Sequence, residues 1–207
     1  MPVHIIDHPV VQDALIELRD ARTPPERFRL AADRISSLLV AEALRDLPTE
    51  PVTVESPLGP ADGRRIRADV VVIPVLRAGL GMLTAALRLL PGARVGQLGL
   101  ERDESTGAAS MYYAKLPADL SGSYVLLVDP MLATGGSAVA ALRLLRDTGA
   151  RDIRLVCIVA APEGLAAVER HDPAVWIYTP EVDRGLDVRN FILPGLGDFG
   201  DRLFGTA

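Results

Sequence analysis

Residues 124–137 read YVLLVDPMLATGGS and join a short apolar run to a loop of small and hydroxylated residues. The apolar run is aliphatic and β-branched, which is typical of a strand buried on both faces. The loop carries one carboxylate, Asp129, and ends in Thr-Gly-Gly-Ser, where a helical pattern over residues 137–146 begins. The start of a helix favours phosphate, and glycines let the phosphate approach closely. The stretch predicts a site for a phosphorylated sugar, with a plain strand-to-helix turn as the alternative.

Buried strands and helices alternate on both sides of this stretch. Further strand patterns lie at 68–76, 93–100, 152–161 and 174–180, and further helical patterns at 79–90 and 162–171. This order predicts an α/β fold with a mostly parallel central sheet and helices on both faces. Ligands bind such sheets beyond the carboxyl ends of the strands, so the loops there are the candidates for function.

The N-terminal quarter of the chain shows a helical pattern. Thr23 fits an N-cap and Pro24 the first helical position, and Glu26 completes a capping box with Thr23. This helix is expected to end near Pro48.

Two short alternating segments, 51–56 and 63–67, follow that helix and flank the turn-forming residues 58–63. They predict a β-hairpin or arm. Because no repeat, low-complexity tract or linker interrupts the 207 residues, a single domain over 1–207 is expected.

Composition limits the classes of protein that the chain can be. Hydrophobic residues make up 49% and charged residues 24%, which suits a compact core and not a disordered chain. The net charge of −5 disfavours a protein that coats nucleic acid. The apolar runs are strand-sized, far short of the ~20 residues of a spanning helix, and the N-terminus does not resemble a secretory signal. The single cysteine, Cys157, lies in an apolar run, so we expect a buried thiol and a cytoplasmic protein with no membrane partner.

A second anionic pocket is predicted after the strand at 68–76. Arg77 follows that strand directly, and Gly79 and Gly81 open the next helical pattern. A guanidinium beside a helix start suits a diphosphate. The alternative is a surface arginine among glycines that serve only the turn.

Two further loops complete the candidate site. Residues 101–116 are polar and long for a loop, which predicts a mobile flap carrying Arg102, with a solvated hairpin as the alternative. Residues 191–205 lead from apolar residues into a glycine-rich turn that carries Asp198. Such a turn suits a flat, partly apolar ring. A simple terminal turn and helix is the alternative.

Two other signals are too weak to predict a site. Gly195, Gly197 and Gly200 form a G-x-G-x-x-G pattern, but no βαβ unit surrounds it and no acid follows at the required distance. His4 and His8 are four residues apart, but no third ligand is near. We expect neither a dinucleotide site nor a protein-bound metal.

Taken together, the motifs resemble the uracil phosphoribosyltransferases, a type I phosphoribosyltransferase family. The resemblance runs along nearly the whole chain, through the segments 8–15, 27–39, 74–82, 128–137, 159–169, 192–198 and 204–206. The pair VDPMLATGGS and ILPGLGD is the most specific part of it. It implies a parallel sheet with a β-arm and a small hood formed by the terminal segments.

The resemblance implies the reaction of uracil with 5-phosphoribosyl 1-diphosphate (PRPP) to give UMP and diphosphate. It implies Mg²⁺ carried on the PRPP, a homodimer or higher oligomer and, in some members, activation by GTP. Catalytic roles would fall to Arg102, Asp129 and Asp198. The residues implied for PRPP are Arg77, Arg102, Asp129, Pro130, Met131, Leu132, Ala133, Thr134, Gly135, Gly136, Ser137 and Asp198, and those implied for uracil are Ile192, Gly197, Asp198 and Phe199.

Two positions depart from the family pattern. Phe199 stands where alanine is common, so a bulky ring is expected beside the base pocket, and residues 107–111 lack a usual proline. Two other functions stay open at this point: a phosphoribosyltransferase for another base, and a PRPP-binding regulator that binds RNA.

Overall fold

The structure, a computed structural model, describes residues 2–102 and 109–206. Its helices are α1 (Pro9–Arg19), α2 (Pro25–Ala43), α3 (Leu80–Leu89), α4 (Gly136–Asp147), α5 (Pro162–His171) and α6 (Phe199–Phe204). Its strands are β1 (Val3–Ile5), β2 (Thr49–Ser56), β3 (Gly59–Ile66), β4 (Val70–Leu76), β5 (Arg94–Val95), β6 (Gln97–Arg102), β7 (Ala109–Lys115), β8 (Tyr124–Val128), β9 (Met131–Leu132), β10 (Asp152–Val156), β11 (Val159–Ala160), β12 (Trp176–Thr179), β13 (Gly185–Leu186) and β14 (Ile192–Leu193).

The main sheet has the strand order β1-β12-β10-β8-β4-β6-β7, with β5 also paired to β4. Every pair is parallel except β6 with β7. The predicted mostly parallel sheet is therefore confirmed. The chain continues from β4 toward one edge and from β8 toward the other, so the strand order reverses between these two neighbours. Such a reversal opens a crevice beyond the carboxyl ends of the strands.

Alternate residues of the central strands face two hydrophobic clusters. Val72 and Leu126 belong to a cluster with α1, α2, α3 and α6, whereas Val71 and Leu127 belong to one with α4 and α5. This double burial explains the continuous apolar runs in the sequence. Cys157 lies fully buried in the second cluster, where burial raises the pKa of its thiol to about 12. The expectation that this cysteine serves core packing is confirmed.

The N-terminal quarter departs from its predicted helical pattern in three ways. It begins with the edge strand β1, whose three residues are too few for periodicity to reveal. Helix α2 begins at Pro25 without a side-chain cap, because the Thr23 hydroxyl donates instead to the Glu17 carbonyl of α1 at 2.7 Å. It also ends at Ala43, well before Pro48, in a turn where the Leu44 N–H bonds back to the helix.

The predicted β-arm is present as the antiparallel pair β2–β3. The described residues of the segment 101–116, which was predicted as a long loop, are largely extended, because β6 (Gln97–Arg102) and β7 (Ala109–Lys115) pair antiparallel. The alternative of a solvated hairpin therefore agrees better with the described residues than a long loop does. Residues 103–108 of the predicted flap lie outside the described residues. No helix in the described part of the chain combines the length and apolar character that a membrane crossing requires.

Candidate active site

A cavity of about 320 Å³ lies between the loops that follow β4 and β8, where the strand order reverses. The loop after β8 and the C-terminal segment meet at this cavity, although they are distant in sequence. Most of the residues singled out from sequence line it: Asp129, Met131, Ala133 and Ser137 from the first, and Ile192, Gly197, Asp198 and Phe199 from the second. The remaining walls come mainly from β4, β6 and the residues 189–191.

Residues 129–137, here called the phosphate loop, shape a smaller recess beside the cavity. The recess measures about 40 Å³ and is lined by Asp129 and residues 131–138. Gly135 precedes α4 with a φ of 81°, a conformation that a residue with a side chain rarely adopts. The N-terminal amides of α4 border this recess, which is the arrangement that binds phosphate in proteins.

The phosphate loop is held from behind by β11 and the start of α5. The Pro130 carbonyl accepts from the Ile158 and Val159 N–H groups at 2.9 and 3.1 Å. The Leu132 carbonyl accepts from the Ala161 N–H at 2.8 Å. A Cβ on Gly164 would lie 2.6 Å from the Ala133 carbonyl oxygen, so α5 approaches the loop as closely as glycine allows. These contacts fix the backbone of the loop without using the groups that face the recess.

Asp129 carries the acidic group of the site. It follows β8 directly, and its backbone N–H donates to the Val156 carbonyl at 3.2 Å. Burial of the carboxyl raises its pKa from 3.8 to about 7, and a 3.4 Å hydrogen bond from the Met131 N–H opposes only part of that shift. An ionised carboxylate in this position accepts hydrogen bonds, so a ligand with hydroxyl donors complements it.

Asp198 begins the last helix of the chain. Its carboxylate accepts from the Asp201 N–H at 2.9 Å and caps α6, while the side chain remains exposed at the cavity. Gly197 beside it has a φ of 76°. Phe199 lines the cavity, as expected, but it is only 1% exposed, because its ring packs edge-on against Phe28 at 5.1 Å.

Of the two arginines expected at the diphosphate, the structure describes the side chain of Arg77. Leu76 and Ala78, the neighbours of Arg77, line the cavity, but the Arg77 guanidinium turns toward α6 and donates to Asp201 at 2.9 Å. This ion pair is largely exposed, and exposed pairs contribute only ~0–1 kcal/mol, so it opposes reorientation weakly. Arg102 ends β6, and its side chain lies outside the described residues.

The sequence motifs single out neither Arg189 and Asn190 nor Arg19 and Asp183, whereas Phe191 begins the predicted loop 191–205. Arg189, Asn190 and Phe191 line the cavity, and Asn190 turns the chain there with a φ of 64°. Asn190 is a turn-forming residue type, which gave a local hint. Arg19 and Asp183 join the N-terminal region to the C-terminal segment through an ion pair that is buried at Asp183 and half-buried at Arg19, and no local pattern links positions so far apart.

The described residues, 2–102 and 109–206, contain no group of three ligating side chains that could hold a metal ion. Oxygen ligands in the cavity come chiefly from Asp129 and Asp198. Mg²⁺ prefers few protein carboxylates together with substrate phosphates, and this donor set fits such a shared arrangement.

Comparison with known proteins points to a single family along nearly the whole chain. The family model described as uracil phosphoribosyltransferase matches residues 5–206. Relatives with that name from Dictyoglomus turgidum and Rhodococcus opacus are 50% and 48% identical over 205 residues, covering 99% of this chain in each case and 99% and 98% of the relative. A solved structure of a protein from Aquifex aeolicus is 36% identical, with a TM-score of 0.94 over 99% of both chains.

More distant structures share the fold alone. The APRTase from Giardia lamblia in complex with 9-deazaadenine is 16% identical, with a TM-score of 0.53 over 75% of this chain and 81% of its own. A hypoxanthine-guanine phosphoribosyltransferase from Bacillus anthracis is 11% identical, with a TM-score of 0.53 over 77% of this chain and 80% of its own. These likenesses confirm the predicted type I phosphoribosyltransferase fold.

Proposed function

This chain belongs to the uracil phosphoribosyltransferase family, and from that premise we propose that it transfers the phosphoribosyl group of PRPP to uracil. The observation that carries the proposal is the meeting of the phosphate loop with residues 192–199 at one cavity. A loop suited to a sugar phosphate and a partly apolar turn suited to a flat ring thus face the same space. A transfer between a phosphorylated sugar and a base requires this proximity.

In the proposed arrangement the phosphate loop binds the sugar end of PRPP. The amides at the start of α4 receive the 5-phosphate, together with Thr134 and Ser137, while residues 131–133 shape the floor and Pro130 supports the loop from behind. The Asp129 carboxylate accepts from the ribose hydroxyls. Neutral N–H donors and a carboxylate acceptor side by side match the phosphate and the diol of one sugar.

The reaction exchanges one bond at the anomeric carbon of the ribose. The bond to the diphosphate oxygen breaks and its electron pair leaves with diphosphate, while a uracil nitrogen forms the new bond and loses its proton. Positive charge develops on the ribose ring and negative charge on the leaving group. Fixed groups that match these charges in the transition state lower the barrier.

The leaving group is the part that most needs neutralisation. We assign Arg77 and Arg102 to the diphosphate, with Arg77 exchanging Asp201 for it. Mg²⁺, which enters as the Mg–PRPP substrate complex, would offset part of the diphosphate charge. Exclusion of water by the segment between β6 and β7 would protect the activated sugar from hydrolysis.

Uracil is proposed to bind at Ile192 and the stretch 197–199. Ile192 is buried and offers an apolar surface, and the backbone around Gly197 offers polar groups at the ring edge. Asp198 stands between the base and the sugar donor. Because the Phe199 ring packs into the core against Phe28, it does not fill the cavity, and a base has room to bind there.

A base panel tests the proposed function directly. The purified protein is incubated with Mg–PRPP and, separately, uracil, cytosine, hypoxanthine and xanthine, and diphosphate release and nucleotide products are measured. We expect UMP from uracil, with a kcat/KM about 100-fold or more above that for the other bases, since a site built for particular hydrogen bonds rejects bases that lack them. Preferred turnover of another base would overturn the assignment to uracil. RNA binding without any turnover would favour the regulator.

The raised pKa of Asp129 predicts a pH dependence. Since the ionised carboxylate accepts from the ribose hydroxyls, kcat/KM for PRPP should rise with pH through about 7 and level off above it. The phosphates of PRPP titrate near pH ~6 as well. The Asp129→Asn variant separates the titration of Asp129 from that of the PRPP phosphates. Its pH profile should keep only the change near pH ~6 that comes from the phosphates. A wild-type profile that is flat between pH 6 and 8 would contradict the assignment.

Assembly, regulation and location enter as further proposals. The β-arm exposes Val54, Leu58 and Ile66, and an isolated two-stranded hairpin is only marginally stable in water. These features support a homodimer or higher oligomer in which a second copy covers the arm. Activation by GTP and a location in the cytoplasm stay predictions.

A further inference from the structure

We propose that Asp183 and Arg19 form a positioning pair that holds the uracil segment, residues 192–198, in register with the phosphate loop. The inference deepens the proposed function and rests on it. Neither side chain lines the cavity, so the pair acts on substrates through the backbone of Gly195.

The pair satisfies both backbone polar groups of Gly195. The Asp183 carboxylate accepts from the Gly195 N–H at 2.8 Å, and the Arg19 guanidinium donates to the Gly195 carbonyl at 2.9 Å. Two further bonds of 2.9 and 2.7 Å join the guanidinium to both carboxylate oxygens. Charge-assisted bonds from a planar guanidinium fix direction as well as distance.

Gly195 is the turning point of the uracil segment. Its φ is 59°, and a Cβ there would lie 2.1 Å from the Ile192 carbonyl oxygen. Ile192 and Gly197, the two uracil positions of the proposal, stand on either side of this turn. A shift of Gly195 therefore moves both of them.

The backbone of Asp183 is tied to the phosphate loop at the same time. Its N–H donates to the Ala160 carbonyl at 2.8 Å, and Ala160 in β11 pairs with Leu132 of the loop. The chain of contacts thus runs from Leu132 through Ala160 and Asp183 to Gly195.

The position of the pair Asp183 and Arg19 inside the fold restricts the conformations of both side chains. The side chains of Asp183 and Arg19 are 3% and 18% exposed. A buried ion pair offers little net stability over an apolar pair, but removal of one partner leaves a buried charge without compensation. Since the ion pair adds little to the stability of the fold, we attribute its role to the positioning of Gly195.

The test uses Asp183→Asn and Arg19→Lys, with KM for uracil, calorimetric Kd for PRPP and the melting temperature as readouts. Asparagine loses the charge, and lysine loses the planar fork that reaches Asp183 and Gly195 together. We expect KM for uracil to rise about 10-fold or more in both variants, since small misplacements of reacting groups are costly. The Kd for PRPP should change less than about threefold, because the phosphate loop has its own supports.

Asp172→Asn is the matched control. Asp172 likewise bridges an arginine, Arg146, and a backbone N–H, that of Ala174, at 2.6 and 3.2 Å, in a part of the chain that does not line the cavity. We expect it to lower the melting temperature without changing KM for uracil. An unchanged KM for uracil in both test variants, or equal losses of uracil and PRPP binding, would overturn the positioning role. A wild type that forms no UMP would overturn the proposed function, and this inference with it.

Discussion

An Asp129→Asn variant is expected to keep about one hundredth or less of the wild-type kcat/KM for PRPP. Asparagine preserves the size of the side chain and one oxygen but removes the negative charge. A neutral amide accepts more weakly from the ribose hydroxyls and no longer faces the positive charge that develops on the ring. The effect should be large because Asp129 is half-buried, and electrostatic interactions strengthen away from water.

Steady-state measurement of UMP formation against PRPP concentration checks this expectation. Asp119→Asn provides a matched control, because that carboxylate accepts from the Ser121 N–H at 2.9 Å in a turn before β8 and does not line the cavity. The control should behave as wild type. UMP formation by Asp129→Asn within about threefold of wild type would contradict the role given to the carboxylate.

A Gly164→Ala variant is expected to weaken PRPP binding about 10- to 100-fold while leaving the fold intact. The new Cβ would lie 2.6 Å from the Ala133 carbonyl oxygen and 2.7 Å from that of Leu132. Both atoms belong to backbone, so the phosphate loop must shift away from α5. Alanine also favours helix by ~1 kcal/mol over glycine, which supports α5 itself. The expected result is therefore a lower affinity for PRPP in a variant that remains folded.

Calorimetric titration with Mg–PRPP and a thermal melt test this variant together. Gly92→Ala and Gly122→Ala are the controls, because a Cβ at either position meets no atom within 4 Å. They should bind PRPP as the wild type does. An unchanged PRPP affinity in Gly164→Ala would show that the close approach of α5 does not set the shape of the loop.

The sequence was informative where chemistry and secondary structure share one short segment. The phosphate loop could be predicted because its carboxylate, its glycines and the helix start are neighbours in the chain. The sheet could be predicted because burial on both faces leaves continuous apolar runs. The β-arm was equally local, since its two strands pair across a tight turn.

Prediction failed where a long-range contact decides the outcome. The hydroxyl of Thr23 serves α1 and not its own helix, and no local pattern indicates that the Phe199 ring, which lines the cavity as expected, packs against Phe28. The support of the phosphate loop by Gly164 and the bond from Arg19 to Gly195 arise in the same way. Periodicity and motif spacing carry no information about such contacts.

The most direct measurement for the central claim is calorimetric titration of the wild-type protein with PRPP in the presence of Mg²⁺ and without uracil. The account predicts saturable binding at one site per chain, because the recess at residues 129–138 takes the sugar phosphate before the base arrives. Asp129→Asn should weaken that binding, and Asp119→Asn should not. Absence of any binding by the wild type would contradict the account at its foundation.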